Sequence, residues 1–183
     1  MKRVILAYGA AGGHIAKISD VISEVLRSHD IDVTFLDVNA DREADPAEYD
    51  GAVVGASIHL GRHEKHMVEF IRTYVDALNR MPSAFFSASL EVEADPDEAK
   101  GLVEQFERET GWRPDRVALF GGALVHAHYG FARRHLMKRQ DEGQKPGLGT
   151  DVSRDYVYTE WDAVRRFAED FAADVNASGT HRA

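Results

Sequence analysis

The sequence has no cysteine in its 183 residues. That excludes a disulfide scaffold, thiolate zinc sites, iron–sulfur clusters and a thiol nucleophile. Any redox chemistry must then come from a bound cofactor. Long hydrophobic runs are missing too. The apolar run after Met1-Lys2-Arg3 stops at Gly9, too short for a secretory segment, and nothing later approaches a membrane span. The expectation is a cytoplasmic protein. Positive charge is scarce, with 22 Lys and Arg against 31 Asp and Glu and a net charge of −9. General nucleic-acid binding is disfavoured on that balance. Two phosphate signatures are absent as well: no G-K-[ST] follows a glycine-rich loop, and no G-x-G-x-x-G occurs. Nucleotide hydrolysis and a dinucleotide fingerprint drop out with them. What is present is a chain that is 44% hydrophobic and 29% charged, enough for one domain with a core that needs no staples.

Along the chain, apolar runs alternate with amphipathic stretches. Lys2 to Tyr8 reads as a strand ending in G-A-A-G-G, and Ile15, Ile18, Val21, Ile22, Val25 and Leu26 follow at helical spacing. Ile31 to Val38 and Gly51 to Ala56 read as the second and third strands. Met67, Phe70, Ile71, Tyr74, Val75 and Leu78 mark a helix that Met81-Pro82 ends, and Ala84 to Ser87 is the fourth strand. Asp95-Pro96-Asp97-Glu98 is a helix start, with an acidic N-cap, proline at the first position and glutamate at the third. That helix runs to Gly111. Val117 to Phe120 is the fifth strand, closed by Gly121-Gly122. Thr159 is expected to cap a last helix whose inner face holds Trp161, Val164, Phe167, Phe171 and Val175. Five apolar strands alternating with helices imply a parallel sheet covered on both faces. The expected order is 2-1-3-4-5, with ligands at the carboxyl ends near strands 1 and 3. Residues 1–176 form the expected domain and 177–183 a tail. One segment, about 125–154, is basic, His-rich and Gly-rich with no core face, which marks it as an insertion with a function or with mobility.

The turn after the first strand holds Gly9, Ala10, Ala11, Gly12 and Gly13, followed by His14. Small residues let backbone N–H groups converge on a phosphate while the next helix adds its positive end. Packing alone can also demand small residues in a strand-to-helix turn. The turn after the third strand carries Ser57, Ile58, His59 and Gly61, and the turn after the fourth carries Ser87, Ala88, Ser89 and Leu90. With Gly122 these positions share the carboxyl edge, where a flat ring could lie between the turns. His59, His63 and His66 invite a metal reading, with His63 and His66 one turn apart on a helix start. No further ligand completes a site, so they read as polar rim residues, with no metal expected.

Several strings carry a family resemblance: G-A-S-I-H-L-G before a helix, M-P-S-A-F-F-S, W-R-P-D-R-V-A-L-F-G-G-A-L and V-Y-T-E-W. The sequence resembles the flavodoxin-like protoporphyrinogen oxidases, the quinone-dependent protoporphyrinogen IX dehydrogenases of haem biosynthesis, from Met1 to about Phe171. The resemblance implies a flavodoxin-like fold with an insertion interrupting the fifth strand, and FMN at the edge positions just named. It implies two-electron oxidation of the porphyrinogen with electrons leaving to a quinone or similar acceptor. The flavin carries that chemistry, so no catalytic side chain is expected. The family's phosphate turn bears hydroxyl residues in a pattern like S-T-x-x-G-x-T; here those places hold Tyr8, Gly9 and His14. His14 is expected either to gain a proton beside a bound phosphate or to point to solvent. In the insertion, Arg133, Arg134, Lys138 and Arg139 are candidates for the substrate's propionates, and the same cluster would favour peripheral association with the inner face of the cell membrane. Two other readings stay open: a flavodoxin-type electron carrier with no small-molecule substrate, and a flavin-less binding protein on the same fold.

Overall fold

Central strands of a parallel sheet bury both faces, so they must be apolar at successive positions rather than at alternate ones. Three stretches here satisfy that demand: 4–7, 51–58 and 83–89 are buried at successive positions. A computed structural model describes residues 1–9, 13–40, 44–59, 61–90, 92, 95–124 and 156–179. In chain order it contains β1 (Lys2–Tyr8), α1 (His14–Ser28), β2 (Ile31–Asp37), a 3-10 turn (Pro46–Glu48), β3 (Gly51–His59) and β4 (Arg62–His63). Then come α2 (Lys65–Leu78), β5 (Ser83–Ser89), α3 (Pro96–Thr110), β6 (Arg116–Gly121), β7 (Ala123–Leu124), β8 (Tyr156–Val157) and α4 (Trp161–Ala177). The main sheet runs β2-β1-β3-β5-β6 with every one of these pairings parallel. That is the expected 2-1-3-4-5 order once the short β4 is set aside.

Successive strand residues feed two separate cores. Val4 and Leu6 of β1 and Phe86 of β5 pack beneath α1 and α4, with Ile18, Ile22, Val164 and Phe171. Ile5, Ala7 and Phe85 face the other way, onto α2 and α3, with Met67, Ile71, Phe106 and Trp112. The apolar stripes read from helical spacing are the ones that are buried. The start of α3 is also as expected: Asp95 Oδ1 accepts from the Glu98 N–H at 3.0 Å, Pro96 opens the helix, and Gly111 ends it in the left-handed region.

Four details depart from the expected reading. β3 continues to His59 and turns back through Gly61 into β4, which pairs with it antiparallel. His63 therefore sits in a strand and His66 in a helix, so the two do not share a helical face. Thr159 is not a cap; Glu160 holds that position and makes no side-chain capping bond. After β6 the chain passes Gly122 into β7, and the returning β8 pairs antiparallel with β7 in a ribbon of its own. The return strand does not rejoin the parallel sheet. Everything between 125 and 155 lies outside the described residues.

The W-R-P-D-R string holds the opposite edge of the sheet from the candidate site. Trp112 is fully buried, its Nε1 donates to Ser83 Oγ at 3.1 Å, and its ring meets Phe85 edge-on. Asp115 accepts from the Ser83 N–H at 2.9 Å and thereby pins the first residue of β5. Arg116 forms a two-pronged ion pair with Asp174 and reaches Asp170 at 3.4 Å, tying β6 to α4.

At Gly55 in β3, a Cβ would overlap the Phe86 Cζ position and stand 2.6 Å from Cε1. That ring is wedged against Phe120 and Phe167, at centroid distances of 6.0 and 6.5 Å. Gly55→Ala should therefore destabilise the fold by about 1–3 kcal/mol through overpacking. Gly101 lies on an exposed face of α3 with open space around it, and Gly101→Ala should stabilise by up to about 1 kcal/mol. Urea unfolding of both variants checks the pair, and equal shifts of the same sign would contradict the packing argument.

Candidate functional site

Parallel pairing sets the strand ends side by side. Tyr8 of β1 pairs with Gly55, Ser57 of β3 with Ala88, and Ser89 of β5 with Gly121. One edge thus gathers Gly9, Ser57, Ile58, Ser87, Ala88, Ser89 and, beyond β6, Gly122. Leu90 follows directly, and Gly61 forms the β3–β4 turn at φ 71°. Gly13, at φ 68°, and His14 open α1 at the same edge. Ala10, Ala11 and Gly12 lie outside the described residues, as do Arg133, Arg134, Lys138 and Arg139; of His59 only the backbone is described.

At the α1 end, Thr159 Oγ1 donates to the Gly121 carbonyl at 2.6 Å and also lies 2.6 Å from His14 Nε2. A threonine hydroxyl has one proton, already given to Gly121, so Nε2 must carry the proton and donate to Thr159. The ring also meets Trp161 edge-on at 6.2 Å. His14 is thus turned inward, against the chain that returns through β8. Burial lowers its pKa, the Gly121 carbonyl opposes that shift, and Lys17 adds to it.

At the β5 end, His63 Nε2 and Ser87 Oγ share a hydrogen bond of 3.0 Å, with the imidazole set against Phe85 and Phe106 at 5.6 and 4.6 Å. Burial pushes its pKa down to about 4, with Glu109 opposing weakly, so the ring is neutral near pH 7. His63 is therefore half-buried, its ring set against Phe85 and Phe106 and its Nε2 engaged by Ser87, rather than a free rim residue. His66 is exposed and lies 3.9 Å from Glu69. Among the described residues no group of three or more His, Asp or Glu is arranged to hold a metal.

Comparison with known proteins decides the family. Residues 5–145 match the flavodoxin domain family. Over 175 residues the chain is 31% identical to proteins named protoporphyrinogen IX dehydrogenase [quinone] from Leishmania major and Escherichia coli K12. These alignments cover 93% and 94% of this chain, and 75% and 95% of the respective relatives. The chain belongs to the protoporphyrinogen IX dehydrogenase family of flavodoxin-like proteins. Its fold likeness extends to flavodoxin 1 from Bacillus cereus, with a TM-score of 0.56 at 13% identity, covering 97% of this chain and 99% of that one.

For a protoporphyrinogen IX dehydrogenase relative, the edge must accept a flavin, and the residues can be tested for that. Ser89 Oγ is buried at the end of β5 with no hydrogen-bond partner among the described residues, an arrangement that a polar ring edge would relieve. Gly122 closes tightly on the same turn: its N–H donates to the Ser89 carbonyl at 2.9 Å, and a Cβ there would stand 2.9 Å from the Ser89 carbonyl carbon. The ring end fits. The β1 end differs, because the Glu64 carboxyl lies against the Gly9 backbone. Spacing gave no signal for Glu64, which sits inside the histidine-rich string, or for Thr159, whose position before a helix resembles a cap.

His63 carries a pH consequence. Its folded pKa of about 4 lies below the ordinary 6.5, so below pH 6.5 the unfolded chain binds more protons. The stability due to neutral His63 is complete above pH 6.5 and declines towards pH 4, by up to about 1.4 kcal/mol per pH unit. His63→Gln keeps a partner for Ser87 but cannot titrate, and should flatten that part of the profile in unfolding experiments run from pH 4 to 7.

Proposed function

We propose that this protein is an FMN-dependent oxidoreductase that converts protoporphyrinogen IX to protoporphyrin IX and passes the electrons to a quinone. The observation that carries this is the match along nearly the whole chain to proteins named for that reaction. When bound, FMN supplies the hydride-accepting chemistry. The protein's part is positioning. Ser57, Ile58, His59 and Gly61 form one wall of the ring site, and Ser87, Ala88, Ser89 and Leu90 with Gly122 form the other. Within the second wall the Ser89 hydroxyl is the group left for the ring to bond, having no partner among the described residues, while Ser87 holds His63. The turn Gly9, Ala10, Ala11, Gly12, Gly13 and the N–H groups opening α1 from His14 receive the phosphate, whose charge suits a helix amino terminus. No side-chain acid or base is required of the chain.

Substrate recognition falls to the segment between β7 and β8. Arg133, Arg134, Lys138 and Arg139 cluster in an otherwise acidic chain, and arginine pairs with carboxylates through two parallel hydrogen bonds. The substrate's two propionates are matching anions. The segment that carries the cluster starts after β7 and ends before β8, and β7 follows directly on Gly122. Among the described residues no helix is long and apolar enough to cross a membrane. Access to a quinone then calls for docking at a membrane surface, and the same cations suit anionic headgroups.

Purified protein reconstituted with FMN should oxidise protoporphyrinogen IX without oxygen when a quinone is supplied, read as porphyrin fluorescence. A bound flavin that is reducible by dithionite yet inert towards the porphyrinogen would make the protein an electron carrier instead. Ser89→Ala should weaken flavin binding on the order of tenfold through the lost hydrogen bond, read by fluorescence titration.

Replacing Arg133, Arg134, Lys138 and Arg139 together by Gln should raise KM for the porphyrinogen by at least about tenfold. Flavin content should not change. An unaltered KM removes the cluster from substrate binding.

A further inference from the structure

Gly121 and Gly122 lie between the end of β5 and the chain that returns from β8. On one side Gly121 pairs in register with Ser89, and the Gly122 N–H donates to the Ser89 carbonyl at 2.9 Å. On the other side the Tyr158 N–H donates to the Gly122 carbonyl at 3.0 Å, and the Thr159 hydroxyl donates to the Gly121 carbonyl at 2.6 Å. Backbone packs on backbone here, with no space for a side chain. A Cβ on Gly121 would stand 2.5 Å from the Tyr158 carbonyl oxygen, and one on Gly122 would stand 2.9 Å from the Ser89 carbonyl carbon. Thr159 is buried, and its oxygen has a second partner in His14 Nε2 at 2.6 Å. The single hydroxyl proton goes to Gly121, so His14 fixes the direction of that bond by donating to Thr159. One hydrogen-bonded line thus runs from the start of α1 through Thr159 and the glycine pair to Ser89. At its end the Ser89 hydroxyl is buried with no partner among the described residues.

We propose that Thr159 and His14 are positioning residues for the flavin ring: through the glycine pair they set the place of the Ser89 hydroxyl that the ring bonds. This rests on the reading of the edge as an FMN site. Neither side chain meets the ring. Thr159 acts through the Gly121 carbonyl, and His14 acts only through Thr159. Two successive glycines have no side chains to anchor them and a wide choice of backbone angles, so the flanking chains alone hold the pair in place. Two consequences separate positioning from packing. The effect falls on the ring site, so it is the same for FMN and for riboflavin, which has the ring but not the phosphate. The effect of His14 vanishes once Thr159 has lost its hydroxyl, because members of one hydrogen-bond network do not act additively.

FMN and riboflavin binding are measured by fluorescence quenching in wild type, Thr159→Val, Thr159→Ser and His14→Leu, with urea unfolding of each in parallel. Thr159→Val should raise both Kd values by about fivefold, and Thr159→Ser should bring both back close to wild type. His14→Leu should raise both by about threefold, and the Thr159→Val, His14→Leu double variant should bind no more weakly than Thr159→Val alone. Ser89→Ala, which costs about tenfold in wild type, should cost only about twofold when Thr159 is already Val. The visible absorption band of bound FMN should shift in Thr159→Val and return in Thr159→Ser. A Thr159→Val protein that unfolds more easily yet binds both flavins with wild-type Kd makes the line a matter of stability alone and overturns the proposal. A loss confined to FMN places the effect at the phosphate and overturns it too. If Thr159→Val does not fold, His14→Leu decides alone, and a riboflavin Kd equal to that of wild type is then the overturning result. Should wild type bind neither flavin, the FMN reading fails first and the inference fails with it.

Discussion

The structure depends on β3 being bonded on both edges and buried on both faces. It pairs with β1 on one side and β5 on the other, and Ala52, Val53, Val54 and Ala56 are all nearly inaccessible. No polar side chain can be spent in that stretch, and bulk is limited because the Phe86 ring lies across Gly55. Polar groups can appear only where the strands end. Ser57 follows Ala56 in β3, and Ser87 and Ser89 occupy the last turns of β5. The same constraint that makes the core also places hydroxyls and backbone N–H groups along one edge, as in open α/β sheets whose ligands bind at the carboxyl ends of the strands.

Much of this was legible in the residues. Apolar runs bounded by glycines, and stripes at helical spacing, reveal sheet and helices because burial imposes those patterns directly. The cap at Asp95 was readable because its partner lies three residues on. What escaped the sequence is non-local. Glu64 and Gly9 are far apart in the chain, and nothing in the string G-R-H-E-K-H says that its carboxyl returns to the end of β1. Thr159 has the composition of a cap, yet its hydroxyl is drawn to the Gly121 carbonyl. His63 looks like a ligand until its burial against Phe85 and Phe106 is seen. Strand β4 is only two residues long, too short to leave a periodicity.

The strings that carry the family resemblance divide by role. Trp112, Asp115 and Arg116 hold β5, β6 and α4 together away from the candidate site, so that W-R-P-D-R reports how the domain is assembled. V-Y-T-E-W joins the two ends of the molecule differently, since Thr159 bonds β6 and touches His14 at the start of α1. A family signature can thus be specific because its contacts are long-range and mutually dependent.

The β7–β8 ribbon has a consequence for how such proteins can diverge. Its two strands hold the ends of the intervening segment at a fixed separation, and Thr159 and Glu160 then lead straight into α4. A change of length between the ribbon's strands is felt chiefly as loop-closure entropy, about 0.6 kcal/mol for each doubling. A longer or shorter segment is thus a cheap change so long as the two strands of the ribbon still meet.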